Sequence, residues 1–129
     1  MNIVDSSGWL AYFADEANAK HFLAPLKDTA SLVVPTVTIY EVFKVLLREA
    51  GENKALQAAV AMRKGKVVEL SSSLAIAASK LSLAHNLPMA DSIILATARE
   101  FKATIWTQDS DFKAMDYVKY FPKKKEVSG

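Results

Sequence analysis

Short apolar runs alternate along the chain with stretches in which apolar residues recur every three or four positions. Ile3–Val4, Leu32–Val34, residues 67–70 and residues 103–106 are compact apolar runs bounded by turn formers or proline, the pattern of buried strands. A last short strand is predicted within residues 117–120, ahead of Pro122. Between these runs, Ile39, Val42, Phe43, Leu46 and Leu47 share one helical face, and Gly51 ends that segment. Leu56, Ala59 and Val60 mark a second helix over residues 53–62, closed by Gly65. Ser71 to Ser73 lead into an alanine-rich helix over residues 74–84, which Asn86 and Pro88 end. A further helix begins near Ala90 and runs through Ile93, Ile94, Leu95 and Ala98 to about Phe101. Residues 17–26 are also helical by pattern, with Pro25 near the end. Ser6, Ser7 and Gly8 read as a turn after the first strand, followed by an apolar patch of Trp9, Leu10, Tyr12 and Phe13.

Strands alternating with helices predict an α/β fold, a three-layer α/β/α sandwich around a mainly parallel central sheet. In such sheets polar sites gather outside the carboxyl ends of the strands. A 51% hydrophobic composition over 129 residues is enough for one compact domain spanning the chain, with a short basic tail from about residue 122. The chain lacks cysteine, which excludes disulfides and thiolate-bound zinc and is compatible with a cytoplasmic protein. Its first residues carry no basic segment like that of a signal peptide, and no apolar run is long enough to span a bilayer. The net charge of +2 changes little, but its distribution matters: Arg63, Lys64 and Lys66 cluster, as do Lys123, Lys124 and Lys125. Either patch suits contacts to a phosphate backbone, or a solvated loop and a solubilising end.

Four acids stand at predicted element edges. Asp5 directly follows a buried run, where a carboxylate must be hydrogen-bonded, paired or metal-bound; an Asx-turn is the plainer reading. Glu41 completes a Thr-x-x-Glu capping box if its helix starts at Thr38, but lies inside the helix if it starts at Thr36. Asp91 complements the positive end of a helix dipole, with Ser92 as a local cap or donor. Asp109 sits in Thr-Gln-Asp-Ser-Asp, again a natural Asx-turn, with Thr107 placed to orient a carboxylate and Asp111 as a backup ligand. Gathered together, unpaired carboxylates repel, and a divalent cation offsets that repulsion. An oxygen-only set favours Mg²⁺ or Mn²⁺ over zinc. His21 and His85 are assigned to helix surfaces or ends.

The segments IVDSSGWLAYF, TIYEVFKVLL, ADSIILATA and IWTQDSDF, in this order and spacing, resemble a PIN domain, and within that family the VapC toxins of toxin–antitoxin pairs. The resemblance covers residues 2 to about 121. It implies a metal-dependent endoribonuclease with Asp5, Glu41, Asp91 and Asp109 as the four acids of the site. Of these, Asp5, Asp91 and Asp109 would hold Mg²⁺ or Mn²⁺, supported by Ser7 and Thr107. It further implies an RNA substrate, a homodimer and a small antitoxin that enters the acidic cleft. Two other readings differ in class: a catalytically silent PIN-like module that binds RNA or protein, and a metal-dependent phosphatase. Against the phosphatase stand the absence of an Asp-x-Asp pair at Asp5 and of a lysine at a strand end.

Overall fold

The computed structural model describes residues 1–123. Five short strands, β1 (Asn2–Val4), β2 (Val33–Pro35), β3 (Lys66–Val68), β4 (Thr104–Thr107) and β5 (Val118–Tyr120), pair only in parallel. They form a three-stranded sheet in the order β1-β4-β5 and a two-stranded sheet of β2 and β3, joined by a bridge between Asn2 and Leu32. The combined order is therefore β3-β2-β1-β4-β5. The six helices are α1 (Ser6–Phe13), α2 (Ala19–Lys27), α3 (Thr36–Ala50), α4 (Glu52–Met62), α5 (Ser72–His85) and α6 (Met89–Phe101). Among the described residues no helix is long and apolar enough to cross a membrane.

The period-two alternation of strand side chains creates two separate cores, one on each face of the sheet. Ile3, Val33 and Ile105 point to one side and pack with Ile94, Leu95 and Ala98 of α6 and with Phe112. Val4, Leu32 and Val34 point to the other side, against Trp9, Phe22, Val42, Ala58 and Met62 from α1 to α4. Helices cover both faces, as the three-layer expectation requires. Every residue of α6 from Ser92 to Ala98 is buried, because α5 packs across its outer side through Leu74, Ala78, Ile93 and Ala96. The unbroken apolar run in α6 thus reflects burial all round rather than an amphipathic face.

The segment after β1 departs from the expected turn. Ser6 to Phe13 form α1, with Asp5 as its N-cap. Trp9 and Ala11 are buried, and Trp9 stacks on Phe13 at 5.7 Å. Gly8 lets this helix sit tightly on the sheet, since a β-carbon there would lie 2.6 Å from Val4 Cγ1 and 2.8 Å from the Phe22 ring. A second departure concerns α3, which starts at Thr36 directly after Pro35, so Thr38 and Glu41 make no capping box. Thr38 is instead fully buried inside the helix, its hydroxyl without a partner. The predicted end of α5 holds: Asn86 caps it in the left-handed conformation, at φ 54°.

Candidate functional site

Where β1 and β4 end side by side, each delivers an acid to the carboxyl edge of the sheet. Asp5 follows β1 and is 2% exposed. Its Oδ1 accepts from Gly8 N at 3.1 Å and Ser7 Oγ at 2.7 Å, and its Oδ2 accepts from Thr107 Oγ1 at 2.6 Å. Asp5 is thus the N-cap of α1, bonded three residues on rather than the two of an Asx-turn, and it sits within a cage of donors. Burial raises the pKa of Asp5 to about 6; the bonds from Thr107, Ser7 and Gly8 hold it down, and the charge of Asp109 adds a little upward. Asp109 follows β4 and caps a 3₁₀ turn over Ser110–Phe112, its Oδ1 accepting from Asp111 N at 2.9 Å. Its own amide donates to Thr107 Oγ1 at 2.8 Å, so one hydroxyl ties the two strand-end acids together.

Two helices supply the remaining acids. Asp91 lies in the first turn of α6, and its pKa is pushed up to about 8. Burial is the main cause, followed by the charge of Asp109, hydrogen bonds to Asp109 and Asp111, and the charge of Asp5. Glu41, on α3, accepts a hydrogen bond from Ser6 Oγ at 2.5 Å, which fastens α1 to α3 across the site. Asp5, Glu41, Asp91 and Asp109 all line one cleft of about 430 Å³, together with Ser6, Ser7, Gln108 and Lys123. Asp91, Asp109 and Asp111 each present a carboxylate oxygen within 4.8 Å of the others. Among the described residues the one ion pair is Arg48–Glu49, so no basic side chain neutralises this trio. Three uncompensated carboxylates with oxygen ligands alone fit a hard divalent cation.

Several placements differ from expectation. Asp111, read as a backup, joins Asp91 and Asp109 in the close trio, whereas Asp5 stands beside it. Ser92 gives its hydroxyl to the Met89 carbonyl at 2.7 Å and turns away from the cleft. Arg63, Lys64 and Lys66 do not line the cleft. Lys66 opens β3 beside Val33, at the amino edge of the parallel sheet, and its ammonium lies over the Phe101 ring at 4.7 Å. Lys123 does line the cleft, while Lys124 and Lys125 lie outside the described residues. His21 stacks on Phe121 at 4.6 Å and His85 lies in the last turn of α5; neither lines the cleft.

The sequence reading missed Glu16 and Glu49, which also line the cleft. Glu49 lies eight residues after Glu41 on the same helix, a spacing that keeps both on one face and was a usable signal. Asn18 and Gln108, a buried amide pair hydrogen-bonded at 2.8 Å, had no such signal because they are ninety positions apart.

The family model of the PIN domain matches residues 3–117. Among solved structures, the chain superposes on a toxin–antitoxin complex from Klebsiella pneumoniae with a TM-score of 0.80 and 20% identity, over 95% of this chain and 99% of that one. It is also similar to Mycobacterium tuberculosis VapC20, a toxin that cleaves the sarcin–ricin loop, with a TM-score of 0.76 and 23% identity, over 90% of this chain and 95% of the other. A third relative in fold is VapBC2 from Rickettsia felis bound to a promoter DNA fragment, with a TM-score of 0.70 and 9% identity, over 94% and 97% of the two chains. No curated protein matches the chain in sequence.

Proposed function

The chain belongs to the PIN domain family, and on that premise we propose that it is a toxin-type endoribonuclease that hydrolyses RNA phosphodiester bonds with Mg²⁺ or Mn²⁺. The observation that carries this reading is the cleft in which four acids from four separate elements meet with none of them ion-paired to a base among the described residues. Asp91, Asp109 and Asp111 would hold the cation, with Asp5 beside them as a further ligand. When bound, the cation supplies Lewis-acid stabilisation of the scissile phosphate and lowers the pKa of water. Thr107 and Ser7 keep both oxygens of Asp5 fixed, which removes the need to reorganise them during reaction. Glu41, turned inward by Ser6, polarises the attacking water. Because water attacks rather than the ribose hydroxyl, the products are 5′-phosphate and 3′-hydroxyl ends.

The relatives that are toxin–antitoxin complexes support a cognate antitoxin as the partner that neutralises this activity. A cytoplasmic homodimer completes the proposal. The test is cleavage of a cellular RNA pool by the purified protein with Mg²⁺ or Mn²⁺, beside EDTA-treated and Asp5→Asn controls. Metal-dependent cleavage lost in the variant is the expected result. Cleavage that survives both controls, or products ending in 2′,3′-cyclic phosphate, would sink the reading.

A further inference from the structure

Among the described residues six carboxylates line the cleft, Asp5, Glu16, Glu41, Glu49, Asp91 and Asp109, and one base, Lys123. A divalent cation can offset the acids that hold it, but a polyanionic strand must also pass the others. Lys123 faces this surface with no carboxylate partner among the described residues.

The position of Lys123 is set by a clamp on the two residues before it. Phe121 stacks on His21 at 4.6 Å and on Trp106 at 6.2 Å, and meets Phe22 edge-on at 5.6 Å. Its amide donates to the Thr107 carbonyl at 2.9 Å, continuing the β5 pairing towards the carboxyl edge of the sheet. Asn18 is 3% exposed and gives its Nδ2 to the Pro122 carbonyl at 2.9 Å, as well as to Gln108 Oε1 at 2.8 Å. Gln108 in turn donates its Nε2 to Ser7 O at 3.0 Å and its backbone amide to Ser7 Oγ at 3.1 Å, the hydroxyl that donates to Asp5. A buried amide network thus connects the peptide that carries Lys123 to the carboxylate at the end of β1.

We infer that Lys123 is a phosphate ligand for the RNA strand beside the scissile bond, and that Asn18 is the positioning residue that holds it at the cleft. The inference rests on the ribonuclease reading above and adds to it the group that receives the substrate backbone. Lys123 acts as a point charge, and Asn18 acts only through it. The remaining acids on the wall then discourage a strand from entering along any path that misses Lys123.

The test uses the full chain and a labelled random-sequence single-stranded RNA, bound to protein carrying Asp91→Asn so that nothing is cleaved. Lys123→Ala is expected to weaken binding about fivefold to tenfold and to reduce the slope of log affinity against log salt by about 0.7, the value for one lost phosphate contact on a single strand. Lys123→Arg should restore most of both. Asn18→Ala should reproduce the loss of slope although the lysine is still present, and the double variant should be no worse than Lys123→Ala alone. In the cleavage-competent chain the loss should fall in KM rather than kcat. Unchanged KM and salt slope in Lys123→Ala, with cleavage intact, would overturn this inference and leave the ribonuclease reading standing. Wild-type protein that neither binds nor cleaves RNA would remove both. Lys123 is exposed, so its variants report binding without disturbing the fold, and circular dichroism checks that Asn18→Ala is folded.

Discussion

Asp5 and Asp91 share one cleft, yet their surroundings are opposite in kind. Asp5 is the more deeply buried, but three donors surround it and hold its pKa to about 6. Asp91 is less buried but faces other acids, and its pKa reaches about 8. What separates them is the company each keeps, donors in one case and negative charge in the other, rather than the depth of burial. Asp5 is built to be an anion in the free protein, whereas Asp91 becomes one readily only when a cation arrives.

The largest effect is expected from Asp91→Asn, which should reduce metal-dependent RNA cleavage by at least about a hundredfold, as read by initial rates in Mg²⁺. Cleavage within a factor of a few of wild type would separate Asp91 from the site.

The second effect is on stability and pH. Both acids hold their proton more tightly in the folded chain than in the unfolded one, where a carboxyl titrates near 3.8. Their contribution to the stability of the metal-free protein is therefore full below about pH 4 and is lost as the pH rises through about 6 for Asp5 and about 8 for Asp91. At about 1.4 kcal/mol per pKa unit, the move from 3.8 to about 6 makes the part due to Asp5 about 3 kcal/mol. Urea melts in EDTA should show Asp91→Asn near wild-type stability at pH 5 and more stable than wild type at pH 9. A variant that is less stable at both pH values would contradict the charge environment assigned to Asp91.

Gly8→Ala bears on Asp5 alone. The new methyl group would press on Val4 and Phe22, lifting α1 and loosening the Gly8 amide from Asp5. A destabilisation of about 2 kcal/mol in denaturant melts is expected, with the metal-induced rise in Tm reduced but present. Ser6→Ala should do least. It removes the single donor to Glu41, for a loss of about 1 kcal/mol or less and a severalfold slower cleavage. Full activity in this variant would show that Glu41 needs no orienting partner.

The sequence revealed most of the helices and the strand-end acids, and the physical reasons are specific. The helices α3 to α6 carry either a clear apolar face or a long apolar run, and Asp5 and Asp109 follow from the rule for carboxyl edges of parallel sheets. The helix α1 was hidden because its eight residues are largely apolar, with no helical periodicity to stand out, and Ser-Ser-Gly imitates a turn. Where the basic cluster at Arg63 to Lys66 lies was not legible, because adjacency in sequence says nothing about which edge of the sheet it occupies; the strand that begins at Lys66 decides that. Asn18 and Gln108 were invisible because ninety positions separate them and only the folded chain brings the start of α2 to the end of β4.

The junctions at the cleft are almost without slack: one residue separates β1 from α1, and none separates β2 from α3. Pro35 closes its strand at φ −64° and at once caps the next helix. For anyone inserting a tag, a reporter loop or new chain ends, this divides the molecule into two territories. Inserts belong at the exposed Ala30 or Lys64, on the side away from the acids. A single added residue after Val4 would shift Asp5 out of its cage of donors, and one after Pro35 would rotate α3 by about 100° and turn Glu41 out of the cleft.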